Sequence, residues 1–388
     1  MTQRILYFDN STTASPSKKA VSQMMPFLTE MWGTPSAPHQ KGQELYSAIR
    51  DSYKQLYSFL GAKEEDTFVL TSSGSEAVNH VIHSVYRETT LPTGKNQFLT
   101  SKVDEAPAIM AVGALERLGC VGKMVPVNNQ GLVTAESLAT ALSPRTALLS
   151  LSWGNGLTGP IQPLGELSAL CRQRGILLHL EATHILGKLM FSLEETGADF
   201  ITFNGDQLHG PRGTGGLWVR HGVKCAPFIS GGSDQGGLRA GALNVPGLVG
   251  LAAACKEGAD SVDYICTEIA RLRDKLENGI IEKIPETSLF FRNQERLPHV
   301  TSMAFPGVSN EALLFLLNRK GICASIGGGH FQQLALMLIE SGINEKTAQE
   351  ALSFSLSRYT TEQDIDEAIP LIVESVIQLQ KLSQKLVS

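Results

Sequence analysis

Three short segments carry side chains that could bind an anion or move a proton. "SSGSE" at residues 72–76 is a small polar turn that opens a predicted helix, and helix N-termini favour anions. "HLEATH" brings Glu181 and His184 to the end of a predicted strand. "NGDQLHGPRGTGG" places Gln207 and His209 in a Gly/Pro-rich turn between two predicted strands. Because histidine titrates near neutrality, the two histidines are candidate bases.

The elements that must position these segments alternate between short apolar strands and helical patterns. The strand-like runs are "TFVLT", "NQFLTS", "TALLSLSW", "ILLHLEAT" and "DFITFN", and helical patterns separate several of them. This order is typical of βαβ units, so it predicts a largely parallel sheet covered on both faces. We therefore expect an α/β core.

The pattern changes near residue 256, where "CKEGADSVDYICTEIARLRDKLENGIIEKI" predicts long helices followed by alternating helices and short strands. We predict a large α/β domain over residues 13–255 and a smaller α+β domain over residues 256–388. The N-terminal "LYFDNSTTASP" reads as a strand and turn without a partner of its own. Residues 1–12 are therefore assigned to the smaller domain.

Composition and charge exclude several classes of protein. The 388 residues are 42% hydrophobic and 18% charged, with a formal net charge of -5, and no basic stripe indicates a nucleic-acid partner. No apolar run approaches the roughly 18 residues of a membrane span, and the N-terminus lacks an apolar leader core, so we expect a cytoplasmic protein. The six cysteines lack C-x-x-C spacing, so neither disulfides nor a metal site are predicted.

Six segments, taken in order, resemble motifs of the class V aminotransferase family, specifically the cysteine desulfurases of the NifS/IscS kind. They are "ILYFDNSTTASP", "WGTPSAPHQKGQE", "VLTSSGSEAVNHVI", "HLEATHILGKL", "GGSDQGGLRAGALNV" and "SFSLSRYTTEQDID". The resemblance covers nearly the whole chain. It implies the fold of the pyridoxal-phosphate-dependent transferases (fold type I, aspartate aminotransferase-like), pyridoxal phosphate as cofactor and a homodimer. Since fold does not establish function, each working position is compared separately.

The resemblance also shows where this chain departs from the family. The lysine that attaches the cofactor falls at Gln207, whose neutral amide can neither condense with an aldehyde nor act as a base. We therefore expect no covalent cofactor at that position. The ring-stacking histidine falls at Glu105 and the phosphate-binding histidine at Asp206. The carboxylate-binding arginine falls at Ser353, and the persulfide cysteine near Gly329.

Other positions of the implied pocket keep related groups. The predicted pocket residues are Gly74, Ser75, Asn155, Glu181, His184, Asp206 and Gln207. Glu181 stands where the family has an aspartate against the pyridine nitrogen, or it caps the adjacent turn. Asn155 matches an asparagine that bonds the cofactor ring oxygen, and an Asx-turn in its Gly-rich loop explains it equally well.

Three interpretations of function remain open. The five replaced groups favour a pseudoenzyme with a binding or regulatory role, partnered by sulfur-transfer or iron-sulfur assembly proteins. The second is an enzyme that holds pyridoxal or pyridoxamine phosphate without a covalent bond, with His184 or His209 as the base. The third is the family activity, cysteine desulfuration. Cys323 precedes Gly329 by a few residues and is expected to be a buried thiol without a redox role. Arg358 is expected to be structural.

Overall fold

The computed structural model describes residues 4–328 and 332–387 of the chain. Its strands are β1 (Leu6–Tyr7), β2 (Thr67–Thr71), β3 (Gln97–Ser101), β4 (Val121–Val125), β5 (Thr146–Ser152), β6 (Leu177–Glu181), β7 (Phe200–Asn204), β8 (Gly215–Val219), β9 (Ser288–Leu289), β10 (Val300–Ala304), β11 (Ile322–Cys323), β12 (Gly327–Gly328), β13 (Gln332–Gln333) and β14 (Ala351–Ser355). Its helices are α1 (Lys18–Thr29), α2 (Gln40–Gln43), α3 (Tyr46–Leu60), α4 (Gly74–Val85), α5 (Leu91–Thr93), α6 (Ala106–Leu115), α7 (Ala135–Ala141), α8 (Leu164–Arg174), α9 (Leu193–Thr196), α10 (Val245–Asp260), α11 (Val262–Tyr264), α12 (Ala270–Lys283), α13 (Asn310–Arg319), α14 (Leu334–Glu340), α15 (Glu345–Gln349) and α16 (Glu362–Val387).

Seven strands form the main sheet in the order β2-β8-β7-β6-β5-β3-β4. Strands β3 to β7 run parallel to one another, whereas β8 is antiparallel to both β7 and β2. Every residue of β5 is buried, as expected for a central strand with helices on both faces. The predicted α/β core with a mostly parallel sheet is confirmed.

Two apolar clusters cover the two faces of this sheet. Leu148 packs in the cluster that contains Val81 of α4, whereas Leu149 packs in the cluster that contains Leu251 of α10. Successive side chains of a strand point to opposite faces, so adjacent leucines reach opposite layers of helices. The uninterrupted apolar runs of the sequence follow from this double burial.

The C-terminal part of the chain forms a second core. Strands β9, β10 and β14 make a three-stranded antiparallel sheet, and its apolar side packs with residues of α12, α13 and α16. Strand β1 joins this region by parallel pairing with β11. The predicted boundary between residues 255 and 256 falls inside α10, and the division into two domains stays a prediction.

Two features of the described residues bear on function classes. Among their helices, none is both long and apolar enough to cross a membrane. In the same residues, no group of three or more His, Cys, Asp or Glu side chains could hold a metal ion.

The main sheet positions the candidate segments at one edge. Strand β2 runs parallel to β7, because both are antiparallel to β8. The carboxyl ends of β2, β3, β5, β6 and β7 therefore meet at the same edge, the usual place for ligand sites in open α/β sheets. The segments "SSGSE", "HLEATH" and "NGDQLH" all follow strands at this edge.

Candidate functional site

A pocket of about 60 Å³ lies at the carboxyl edge of the main sheet. Its lining includes Gly74, Ser75, Glu105, Glu181, Asn204 and Gln207. The structure thus brings together four of the seven predicted pocket residues. It also brings in Glu105, which was predicted to stand in place of the family's ring-stacking histidine. Asn204 was not predicted as a pocket residue. Its place at the end of a predicted strand, just before the turn, could have indicated it. We call this cavity the sheet-edge pocket.

The N-terminus of α4 forms one wall of the sheet-edge pocket. Ser73 is the N-cap residue, and its Oγ accepts a hydrogen bond of 3.1 Å from the backbone N–H of Glu76. The backbone N–H of Gly74 donates to Asn204 Oδ1 at 3.2 Å. An amide oxygen from β7 therefore already takes up a helix N–H group that would otherwise be free for an anion.

The turn after β7 is tied to the N-terminal loop. Gln207 Nε2 donates to the carbonyl oxygens of Ser11 at 2.6 Å and Thr12 at 3.2 Å. Asn204 Nδ2 donates to Asp206 Oδ1 at 2.6 Å and lies 3.5 Å from Gln207 Oε1. The Gln207 amide is thus engaged by groups of this chain on both its nitrogen and its oxygen.

Glu181 is the most deeply buried acid of the pocket, with a relative exposure of 5%. Its Oε1 accepts from the backbone N–H of Thr183 at 3.2 Å and from the Thr183 hydroxyl. Its Oε2 is buried without a hydrogen-bond partner among the described residues. Burial, followed by the charge of Glu105, raises the pKa of Glu181 well above its usual range. Glu181 therefore caps the turn with one oxygen and leaves the other unpaired.

Glu105 pairs with His184 at the rim of the pocket. Glu105 Oε1 lies 3.1 Å from His184 Nε2, within hydrogen-bond distance. The His184 side chain is almost wholly buried. A Cβ atom on Gly156 would lie 2.3 Å from His184 Nε2, so a glycine is needed there to admit the ring. A carboxylate bonded to histidine thus occupies a position where the resemblance implied a stacking ring.

Asn155 and Ser353 do not line the sheet-edge pocket. Asn155 Oδ1 accepts from the backbone N–H groups of Leu157 at 3.0 Å and Thr158 at 2.9 Å, the pattern of an Asx-turn. Ser353 lies in β14, where its hydroxyl donates to the carbonyl oxygen of Leu157 at 2.7 Å. Gly329 lies outside the described residues.

Gln207 also lines a second cavity of about 20 Å³, together with His209 and Lys188. His209 Nδ1 lies 2.7 Å from the carbonyl oxygen of Ser15, and burial followed by the charge of Arg358 lowers the pKa of His209 to about 4. Lys188 Nζ donates to a backbone carbonyl at 2.8 Å, and burial lowers its pKa to about 7. His209 and Lys188 therefore face this second cavity, outside the lining of the sheet-edge pocket.

Comparisons with known proteins agree with this architecture. The family model described as Aminotransferase class-V matches residues 6–368. A cysteine desulfurase of Gluconacetobacter diazotrophicus is 34% identical over 383 residues, which cover 97% of this chain and 95% of that protein. A cysteine desulfurase of Cereibacter sphaeroides is 34% identical over 382 residues, which cover 97% of each protein.

Solved structures give the same result for the fold. A NifS-like protein superposes with a TM-score of 0.89 at 28% identity, over 95% of this chain and 98% of its own. A NifS-like protein from Rickettsia africae superposes with a TM-score of 0.85 at 22% identity, over 96% and 99% of the two chains. The predicted family and the predicted fold type I architecture are thus confirmed. The chain belongs to the class V aminotransferase family, with relatives among the NifS-like cysteine desulfurases.

Proposed function

We propose that this chain is a non-catalytic member of its family, a pseudoenzyme that uses the family fold for a binding or regulatory role. The observation that carries the proposal is Gln207, an amide that takes the position expected for the attachment lysine and is bonded to Ser11 and Thr12 of its own chain. An amide offers no nucleophile for aldimine chemistry and no base for proton transfer.

The sheet-edge pocket is poorly suited to the phosphate end of pyridoxal phosphate, and this supports the proposal. The Gly74 N–H donates to the side-chain amide oxygen of Asn204. The amide nitrogen of Asn204 donates to the Asp206 carboxylate at 2.6 Å. The pocket of about 60 Å³ is also far smaller than the roughly 300–1,000 Å³ of typical cofactor sites. The pocket is therefore small, and acidic side chains in its lining (Glu105) and bonded to its lining (Asp206, through Asn204) oppose a dianionic cofactor.

Two measurements on the purified protein test the proposal. Pyridoxal phosphate is added, the sample is dialysed, the absorbance is recorded from about 300 to 500 nm, and borohydride is used to fix any imine. We expect a flat spectrum and an unchanged mass. We also expect no transferable sulfide from cysteine. The proposal is overturned if the protein releases sulfide and a Glu181→Gln variant does not. It is also overturned if a borohydride adduct is mapped to a lysine. The matched variant Lys188→Met identifies an adduct on Lys188, which lines the second cavity together with Gln207.

A second candidate function is an enzyme that holds pyridoxal or pyridoxamine phosphate without a covalent bond. The specific observation in its favour is the unpaired, buried Oε2 of Glu181, an acceptor suited to a protonated ring nitrogen. His184 or His209 would be the base: His184 Nε2 is engaged by Glu105, and His209 lines the second cavity. An absorbance band that survives dialysis but is not fixed by borohydride would support this candidate. Absence of binding at millimolar cofactor would remove it.

Cysteine desulfuration itself ranks third. The relatives named above are described as cysteine desulfurases, whereas Gln207 and Ser353 lack the groups that the resemblance assigns to attachment and to the substrate carboxylate. Removal of a general base alone typically lowers a rate about 10²- to 10⁴-fold. The sulfide assay above therefore tests this candidate as well.

We further propose that the chain forms a homodimer, as the family resemblance implies. We propose sulfur-transfer or iron-sulfur assembly proteins as its binding partners. Exposed apolar side chains on and after α1 support an interface there: Met25, Leu28 and Trp32 are all exposed. Light scattering at micromolar concentration would detect the dimer. A Trp32→Glu variant should weaken it, and the exposed Met190→Glu variant is a matched control on another surface. A monomer at all concentrations would overturn the assignment to a homodimer.

The division into domains at residues 12/13 and 255/256 and a cytoplasmic location also remain proposals. The parallel pairing of β1 with β11 supports the placement of residues 1–12 with the C-terminal region. Limited proteolysis tests the division, since cleavage is expected near the ends of α10 before it occurs within either core.

A further inference from the structure

The second cavity, which we call the junction cavity, lies where the two cores of the chain meet. It is lined from the main-sheet region by Lys188 and His209 and from the C-terminal region by His299 and Arg358. Its volume of about 20 Å³ exceeds the roughly 10–15 Å³ needed for one water-sized occupant, and it is too small for a polyatomic ligand. A single monatomic ion or one water would fill it.

Three buried nitrogen atoms around this cavity lack hydrogen-bond partners among the described residues. They are both ring nitrogens of His299 and Nη2 of Arg358. His299 is 2% exposed, and the Arg358 side chain is 7% exposed. Native proteins rarely leave buried polar groups unpaired, because each one costs the free energy of its lost hydration. Arg358 Nη2 and the one N–H of a neutral His299 ring are donors, so they call for an occupant that accepts hydrogen bonds.

The charges that face the cavity decide the nature of this occupant. Its lining contains Lys188, His209, His299 and Arg358 and no acidic side chain. Burial lowers the pKa of His209 to about 4 and the pKa of His299 well below its usual range, so both rings are neutral near pH 7 and the positive charge comes mainly from Arg358. Lys188 Nζ donates one hydrogen bond to the carbonyl oxygen of Thr183. The Arg358 guanidinium has a carboxylate near it, but Glu257 Oε2 is 3.6 Å from Nη2, beyond a normal hydrogen bond. A buried guanidinium with an unpaired N–H group favours an anion over a neutral water.

The other nearby carboxylates are engaged away from the cavity. Asp206 accepts hydrogen bonds from Thr13 and Asn204, and Glu181 accepts from Thr183. Neither acid belongs to the cavity lining. Arg358 Nη2 and the His299 ring thus find no acceptor within hydrogen-bond distance among the described residues.

We propose that the junction cavity binds one chloride-sized monovalent anion that bridges His299 and Arg358. The anion accepts hydrogen bonds from the Arg358 Nη2 group and from one protonated ring nitrogen of His299. It stabilises the contact between the main-sheet region and the C-terminal region, because each region contributes donors to the same ion. This cavity is distinct from the sheet-edge pocket, and Gln207 lines both.

Bromide replacement tests the site directly. Crystals of the full chain are grown in sodium chloride, soaked in sodium bromide, and measured at the bromine absorption edge. We expect an anomalous peak within about 3.5 Å of Arg358 Nη2 and a ring nitrogen of His299. Density without an anomalous peak would identify the occupant as water and overturn the proposal.

Thermal unfolding supplies a second measurement in solution. At constant ionic strength, replacement of gluconate by chloride should raise the Tm by on the order of 3 °C once chloride is well above its Kd. The His299→Leu variant should lose this increment. The matched control is His179→Asn at another buried histidine, both of whose ring nitrogens are bonded, to Ser150 and Thr202 at 2.8 Å. This control is expected to be less stable but to keep the chloride increment. An increment retained in His299→Leu would place the anion elsewhere and overturn the assignment.

Discussion

A Gln207→Lys variant tests whether a lysine at this position is sufficient to hold pyridoxal phosphate. We predict that Gln207→Lys alone does not hold pyridoxal phosphate. The substitution removes the hydrogen bonds from Nε2 to the carbonyl oxygens of Ser11 and Thr12, and it leaves the Gly74 N–H bonded to Asn204. The Asp206 carboxylate also stays bonded to Asn204, whose Oδ1 accepts from the Gly74 N–H.

The magnitude of this obstacle follows from the surroundings of Asp206. Its Oδ2 accepts from Thr13 Oγ1 at 2.8 Å and lies 3.8 Å from Nε of Arg212, which is 78% exposed and so compensates weakly. A carboxylate about 5 Å from a phosphate dianion is repelled by roughly 6 kcal/mol at an effective dielectric of about 20. If solvent and Arg212 remove half of this, ~3 kcal/mol remains, a factor of roughly 100 in Kd.

The assay compares three proteins by titration with pyridoxal phosphate and by borohydride fixation. Asp206→His/Gln207→Lys should bind at least ~100-fold more tightly than Gln207→Lys, because the repulsive charge is gone. Asp206→Asn/Gln207→Lys is the matched control, since it removes the charge without adding an imidazole. The reasoning is refuted if Gln207→Lys alone retains the cofactor stoichiometrically after dialysis and borohydride fixes it to residue 207.

Three further predictions concern stability. Glu277 is wholly buried and accepts from Arg296 Nη1 at 2.6 Å and Nη2 at 3.0 Å, so Glu277→Ala should lower the free energy of unfolding in urea by ~3–5 kcal/mol; a loss below about 1 kcal/mol contradicts this. Burial lowers the pKa of Lys188 from 10.5 to about 7, so the unfolded chain binds more protons between these values. Stability should therefore rise from pH 7 towards pH 10 by up to about 1.4 kcal/mol per pH unit from this group, and a Lys188→Met variant with an unchanged slope would contradict the assignment. Asn155→Ala should lower the free energy of unfolding by ~1–3 kcal/mol, since two backbone N–H groups lose their acceptor, and an unchanged urea midpoint would show that the Asx-turn is dispensable.

Much of the fold could be predicted because local patterns determine it. Uninterrupted apolar runs such as β5 require burial on both faces, and helices between strands require parallel pairing. The turn before α4 was also readable, since Ser73 is a preferred N-cap residue and bonds the Glu76 N–H. These signals lie within a few residues of one another, so the sequence displays them directly.

The contacts of the site were less accessible from the sequence. Glu105 and His184 are 79 positions apart, and Gly74 and Asn204 are 130 positions apart. Their pairing depends on which strand ends meet at the sheet edge. The identity of Gln207 predicted that no imine forms at this position, and only the structure showed that its amide is bonded to the N-terminal loop.

By itself, the sequence determined that this chain has an α/β fold of a known family, and it predicted Gln207 at the position of the lysine that attaches that family's cofactor. Both conclusions rest on residue type and order, which a linear chain carries in full. Only the tertiary structure decided that Asn204 takes up the helix N–H group of Gly74, that Glu105 pairs with His184, and that His299 and Arg358 share one cavity. These outcomes depend on distances between elements remote in the chain, which the packing of the two cores fixes.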